Sequence, residues 1–235
     1  MKTELLMSLI LCAGSLLYSG CSSDEYSPAK GETLRELLQE KPPFSGDEPV
    51  VLTEAEIAQM TNLMKNVNPD PVLPGEFAVM ETSLGYIIFE FYPDSAANHC
   101  ANFKKLANNG FYDWTTFHRV IPGFMIQGGD INSKNDNASD DGSGSPGYTV
   151  NAEFNGIPHK PGTLSMARAA SPNSAGSQFF ICHGTPSHLN GQYTVFGNVV
   201  EGMDVVDAIA NVGRDTSNNR PFENVYIKKV RVIKP

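Results

Sequence analysis

Phe117-His118-Arg119-Val120-Ile121-Pro122-Gly123-Phe124-Met125-Ile126-Gln127-Gly128-Gly129-Asp130 reads as two short β-prone runs on either side of a Pro-Gly turn. Strands are expected around Thr116–Val120 and Phe124–Gln127. Upstream, Phe77, Val79 and Met80 lead into Ser83-Leu84-Gly85 and then the compact run Tyr86 to Phe91, a hairpin pattern. Pro93-Asp94-Ser95 starts a helix through about Asn108, with Ala96, Cys100, Phe103 and Leu106-Ala107 as its apolar stripe and Gly110 as its left-handed stop. Downstream, strands are expected at Thr163–Ala167, Gln178–His183 and Thr194–Val200. A helix follows over Gly202–Val212, and a last strand runs from Val225 to Ile233. Many short strands with two helices suggest a closed antiparallel barrel.

The totals exclude several functions. The chain has 235 residues, enough for one ordinary domain plus an extension. A formal charge of -9 without a Lys/Arg cluster argues against nucleic acid, whose phosphates demand concentrated positive charge. Cys12, Cys21, Cys100 and Cys182 show no paired metal-ligand spacing, and the five histidines do not group with them, so no metal or other cofactor is expected.

Two further segments accompany the first. One is Leu164-Ser165-Met166-Ala167-Arg168 leading to Ser177-Gln178-Phe179-Phe180-Ile181. The other runs from His188-Leu189-Asn190-Gly191 to Tyr193-Thr194-Val195-Phe196-Gly197. In this order and spacing, over residues 76–235, the three resemble the cyclophilin family. That resemblance implies a mainly β fold, a closed eight-stranded antiparallel barrel capped by two helices, and isomerisation of X-Pro peptide bonds. It implies that Arg119 is the catalytic arginine and that Gln127 braces it. Phe124, Met125, Phe180 and Leu189 match the apolar walls that hold the proline ring. Gln178 and the backbone of Ala167, Arg168 and Ala169 match the groove for the substrate chain. Tyr193 stands where the family often has histidine. His188 stands where many eukaryotic members carry tryptophan, which implies weak sensitivity to cyclosporin.

The chemistry suits such a residue set. Amide resonance holds an X-Pro bond behind a barrier of about 18–20 kcal/mol, although the isomers differ by only about 1 kcal/mol or less. Catalysis needs no covalent step. It needs a donor for the prolyl nitrogen, which regains its lone pair only when the amide is twisted, and a guanidinium is a permanently charged donor. Because no proton is exchanged with solvent, His118 is read as structural, and His183 likewise.

The segment Ile131–Pro146, rich in Asn, Asp, Ser and Gly, is expected to be a loop at one end of the groove. Its Asp136, Asp140 and Asp141 do not fall at calcium-loop spacing. For Cys100 and Cys182 two readings stand: a disulfide, which an exported domain permits, or two separate buried thiols.

At the amino terminus, Lys2 precedes an apolar run from Leu5 to Leu17, short for a membrane span but right for an export signal over residues 1–20. Ser19-Gly20-Cys21 resembles the lipobox of bacterial lipoproteins, with Tyr18 as a departure, and implies lipidation of Cys21. Ser22 in place of Asp favours the outer membrane by the same resemblance. Residues 21–75 read as a linker with short helices at Thr33–Glu40 and Thr53–Lys65. The second opens on a Thr53/Glu56 capping box and carries Ile57, Met60, Leu63 and Met64 on one face. That face either lies on the domain or docks a partner. The whole reads as a lipid-anchored peptidyl-prolyl isomerase of the cell envelope acting on proline-containing segments of exported proteins. The alternative is a proline-segment binder with little catalysis.

Overall fold

The computed structural model describes residues 48–234. The expected export signal, Cys21 and the Thr33–Glu40 helix lie outside them.

Among the described residues nine strands form one antiparallel sheet: β1 (Phe77–Thr82), β2 (Gly85–Phe91), β3 (Thr115–Thr116), β4 (Arg119–Ile121), β5 (Met125–Gly128), β6 (Thr163–Met166), β7 (Phe179–Cys182), β8 (Val195–Glu201) and β9 (Tyr226–Ile233). Their order is β3-β9-β1-β2-β8-β6-β7-β5-β4. The closed eight-stranded barrel is therefore corrected. The run expected as one strand at Thr116–Val120 is two, because its halves serve opposite ends of the sheet. Thr115 and Thr116 pair with Ile227 and Tyr226 of β9, whereas Arg119, Val120 and Ile121 pair with Gln127, Ile126 and Met125 of β5. No ladder joins β3 to β4. The curled sheet is linked at that seam by the covalent chain through Phe117-His118, both buried.

Among the described residues three α-helices accompany the sheet: α1 (Glu54–Asn66), α2 (Pro93–Asn108) and α3 (Met203–Ala210). The expected stripe of α2 is fully buried, and Gly110, at φ +73°, ends the helical region where other residues would be strained. Phe103 is its anchor. Its ring lies 4.8 Å from Tyr112, 5.3 Å from Phe89, 5.4 Å from Phe179 and 5.6 Å from Phe196. Such aromatic packing adds to the burial of apolar area, which dominates the stability of a core of this kind.

α1 has its capping box: Thr53 N–H donates to Glu56 Oε2 at 2.8 Å, and Glu56 N–H donates to Thr53 Oγ1 at 3.3 Å. Met60 and Met64 are buried in the main core, with Ile57 and Leu63 packed at its margin. Lys105 Nζ of α2 donates to the Met64 carbonyl at 3.0 Å. The apolar face of α1 thus lies on the rest of the protein.

The sheet is buried on both faces where β5 and β7 run. Side chains alternate across a strand, so Phe179 and Ile181 of β7 and Ile126 of β5 enter the main core. Their neighbours Phe180, Cys182 and Met125 form a second apolar cluster with Leu189 on the opposite face. That second cluster floors the candidate site.

Candidate active site

Cross-strand register places the polar and apolar parts of the site in one row. Arg119 pairs with Gln127, Gln127 with Phe180, and Phe180 with Ser165, across β4, β5, β7 and β6. Paired residues share a face, so the guanidinium, the amide and the phenyl ring stand side by side. Around them opens a cavity of about 150 Å³. Its apolar lining is Phe124, Met125, Ala167, Phe180, Leu189 and Tyr193. Arg119, Gln127 and Arg168 supply its polar edge.

Nine of the twelve residues expected for catalysis and substrate binding line this cavity. The other three stand around it. Gln178 lies behind Gln127. His188 is exposed and stacks on Phe124, with ring centroids 5.9 Å apart. Ala169 is exposed, and its N–H donates to Ser174 Oγ at 3.0 Å, outside the pocket lining.

Arg119 is held from two sides. Nη1 donates to Gln127 Oε1 at 3.3 Å, and the guanidinium carbon lies 5.9 Å from the Phe124 ring centre. Gln127 Nε2 in turn donates to Gln178 Oε1 at 3.0 Å, and Gln178 Nε2 donates to the carbonyls of Gly142 and Gly144 at 2.9 and 3.0 Å. The Asn/Asp/Gly-rich loop therefore reaches the arginine through two amides. Asp130 shapes that loop by accepting from the N–H groups of Asn132, Gly142 and Gly144. Burial raises the Asp130 carboxyl above its ordinary value, and those backbone donors oppose the rise. A Cβ at 144 would meet Asp130 Oδ1 at 1.9 Å, so a side chain there would displace the carboxylate that holds the loop. Arg220 clasps the far side, pairing with Asp141 at 2.6 Å and donating to the Ala138 carbonyl at 2.7 Å.

The pocket walls have their own supports. Phe124 follows a turn in which Gly123 N–H donates to His183 Nδ1 at 2.7 Å, leaving His183 Nε2 as the donor to Asp207 at 3.0 Å. His183 thus ties the turn to α3. His159, unmarked by any sequence pattern, is fully buried beneath the site. Its ring stacks on Phe180 at 5.9 Å and sits between Asn190 Oδ1 at 3.0 Å and Ser165 Oγ at 3.1 Å. It therefore braces both Phe180 and the turn carrying Leu189, and burial lowers its pKa. Phe154 was equally invisible in the sequence; it lies beside the Arg168 guanidinium.

His118 is buried next to Arg119, and its pKa is lowered to about 4, first by burial and then by the Arg119 and Arg220 charges. Among the described residues neither ring nitrogen has a hydrogen-bond partner of good geometry, apart from a contact with the Thr116 backbone. A neutral imidazole outside the cavity lining fits a packing role. Cys100 and Cys182 are both buried free thiols, which resolves the pair in favour of separate thiols.

Residues 77–232 match the model of the family described as cyclophilin type peptidyl-prolyl cis-trans isomerase/CLD. A peptidyl-prolyl cis-trans isomerase of Synechococcus elongatus is 48% identical over 139 residues, covering 58% of this chain and 90% of that protein. Peptidyl-prolyl cis-trans isomerase B of Bacillus subtilis is 50% identical over 127 residues, covering 53% and 83%. Among solved structures, a Cryptosporidium parvum cyclophilin type isomerase, crystallised in the presence of the dipeptide Ala-Pro, superposes with a TM-score of 0.62 at 31% identity. The match covers 68% of this chain and 99% of that one.

Proposed function

Since the chain belongs to the cyclophilin family of peptidyl-prolyl cis-trans isomerases, we propose that it isomerises X-Pro bonds of exported proteins and that Arg119 stabilises the twisted amide. The observation that carries this reading is the position of Arg119, pinned by Gln127 at the edge of an apolar cavity floored by Met125 and Phe180.

A proline ring seated on Met125, Phe180 and Leu189 is held still while the preceding carbonyl rotates. In the planar ground state the prolyl nitrogen has no free lone pair for Arg119. As the amide twists the lone pair returns, and the guanidinium donates to it. That bond exists only near the top of the barrier, so it raises turnover instead of merely tightening binding. Gln127 keeps the guanidinium in place, and the apolar walls exclude water that would compete for it.

The proposed setting is the cell envelope, with Cys21 lipidated and the protein held at the outer membrane. Support comes from the Leu5–Leu17 apolar run and from Ser19-Gly20-Cys21. Several acyl chains on one cysteine anchor stably, because each buried methylene contributes about 0.8 kcal/mol. Replacing Cys21 by Ser should shift the protein from the membrane to the soluble fraction; unchanged fractionation rejects the anchor.

The catalytic proposal is tested by peptide isomerisation with wild type and Arg119→Ala. Acceleration that falls at least tenfold in the variant, with peptide affinity largely retained, supports the role of Arg119. Peptide binding without acceleration by either protein would identify a proline-segment binder.

A further inference from the structure

Among the described residues two guanidinium groups and no carboxylate line the cavity, in a chain whose formal charge is -9. One of them, Arg119, is accounted for. The other, Arg168, is built into its place far more firmly than a surface arginine needs to be. Its Nε and Nη2 donate to the Gln192 carbonyl at 3.2 and 3.0 Å, and its Nη1 donates to the carbonyls of Ala169 and Ala170 at 3.0 and 3.2 Å. The guanidinium carbon lies 4.6 Å from the Tyr193 ring centre and 5.8 Å from that of Phe154.

These contacts orient the group without neutralising it. Every acceptor is an uncharged carbonyl, and the rings contribute only their faces. A guanidinium has five N–H bonds; the four contacts use the Nε hydrogen, both Nη1 hydrogens and one on Nη2, which leaves one Nη2 hydrogen. The acid nearest in sequence, Glu153, is turned to the start of α2, where it accepts from Asn98 and pairs with His99 at 2.5 Å. Among the described residues no carboxylate pairs with Arg168. A full positive charge, partly buried and held by these contacts, thus lines the groove and keeps one donor unused.

We infer that the Arg168 guanidinium is an acid-recognising subsite beside the proline pocket, selecting segments with Asp or Glu flanking the proline. The inference rests on the reading of the cavity as the proline-ring site. Because Arg168 is already ordered, little conformational freedom is lost when a carboxylate reaches it. A lysine in the same place meets two fixed cations, Arg119 and Arg168, and is repelled. The interaction is present in the planar and twisted amide alike, so it acts on KM and leaves kcat nearly level across the peptides.

A purely structural role for Arg168, stapling the 168–170 segment to Gln192, would change all peptides by the same factor. The test is therefore a ratio. Peptides sharing one proline-containing sequence carry Glu, Gln or Lys directly before or directly after the proline, and kcat/KM is measured on the full chain. At low salt Glu should exceed Lys by roughly fivefold at one of the two positions, through KM, the scale expected of a partly solvated ion pair. The preference should shrink towards parity near 1 M salt, where the Debye length is about 3 Å. Arg168→Gln should bring the ratio close to one, and Arg168→Lys should restore part of it. Equal turnover of the Glu and Lys peptides by wild type, or a preference that survives Arg168→Gln, overturns the subsite while leaving the isomerase reading intact. Should Arg168→Gln fail to fold, the wild-type ratio and its salt dependence decide alone. Absence of turnover on every peptide, including Gln, overturns the isomerase reading itself.

Discussion

Gln127 donates to Gln178 Oε1 at 3.0 Å through one end of its amide while the other end accepts from Arg119 at 3.3 Å. The polarity of this pair is set from outside. Gln178 Nε2 faces two carbonyls, those of Gly142 and Gly144, and only an NH2 group satisfies them. Its oxygen must then face Gln127, whose own oxygen is left for the arginine. The loop carbonyls thus orient the guanidinium at two removes.

Gln178→Leu should therefore lower kcat about tenfold for an Ala-Pro peptide, the loss expected when about one neutral hydrogen bond's worth of positioning disappears. KM should move less, because the proline walls are untouched. Gln178→Glu should be worse than Leu, since a carboxylate would confront the two carbonyls. Steady-state kinetics on both variants test the idea, and full kcat in Gln178→Leu would remove the relay from the mechanism.

Such a chain is not visible in sequence, and the reason is general to this fold. Local signals, such as the Pro-Gly turn at 122–123, the Thr53/Glu56 box and the stripe of α2, placed the strands and helices where they lie. What they lacked was pairing. Thr115–Thr116 and Arg119–Ile121 look like one strand because nothing local distinguishes a partner more than a hundred residues away in β9 from one a turn away in β5. The family resemblance named Arg119, Gln127 and the pocket walls. It did not reveal His159 under Phe180 or Phe154 beside Arg168, because both act through chain paths that only the folded structure defines.

α1 makes a separate prediction. Met64 is fully buried in the main core, and its carbonyl accepts from Lys105 Nζ. Met64→Ala should cost about 2–5 kcal/mol, the usual range for truncating a buried methionine. Chemical denaturation measures it. A loss below about 0.5 kcal/mol, typical of an exposed site, would mean that the helix is a spacer resting loosely on the domain.

The cysteines offer a probe of the same core. Burial pushes both the Cys100 and Cys182 thiols up to about 12, and Cys100 Sγ donates to the Phe196 carbonyl at 3.3 Å. With so little thiolate at neutral pH, neither should alkylate in the native protein. Peptide-resolved labelling should find both blocked before denaturation and both modified after it. A non-reducing digest that links the two peptides would contradict the free-thiol geometry.

His118 should govern part of the acid limb of stability. Its pKa falls from the ordinary 6.5 to about 4 in the folded chain, so between those values the unfolded state binds more protons. Stability from this group is complete above pH 6.5 and is lost as pH falls towards 4, by on the order of 3 kcal/mol at about 1.4 kcal/mol per pH unit. Asp141 runs the other way across the window. Burial raises its carboxyl to about 6, opposed by Arg220, so its contribution declines as pH rises from about 4 to 6. The raw stability curve mixes these with other shifted groups, Asp130, His99 and His159 among them, and the readout is the difference between wild type and His118→Phe. That difference should be flat above pH 6.5 and should turn in favour of the variant below it. Turnover should stay level between pH 6.5 and 8, because His118 is already neutral there and supplies no proton, and a guanidinium keeps its charge. A difference curve flat down to pH 4 would show that the imidazole protonates without penalty, and would place solvent against a ring that the fold buries between Arg119, Arg220 and the 142 loop.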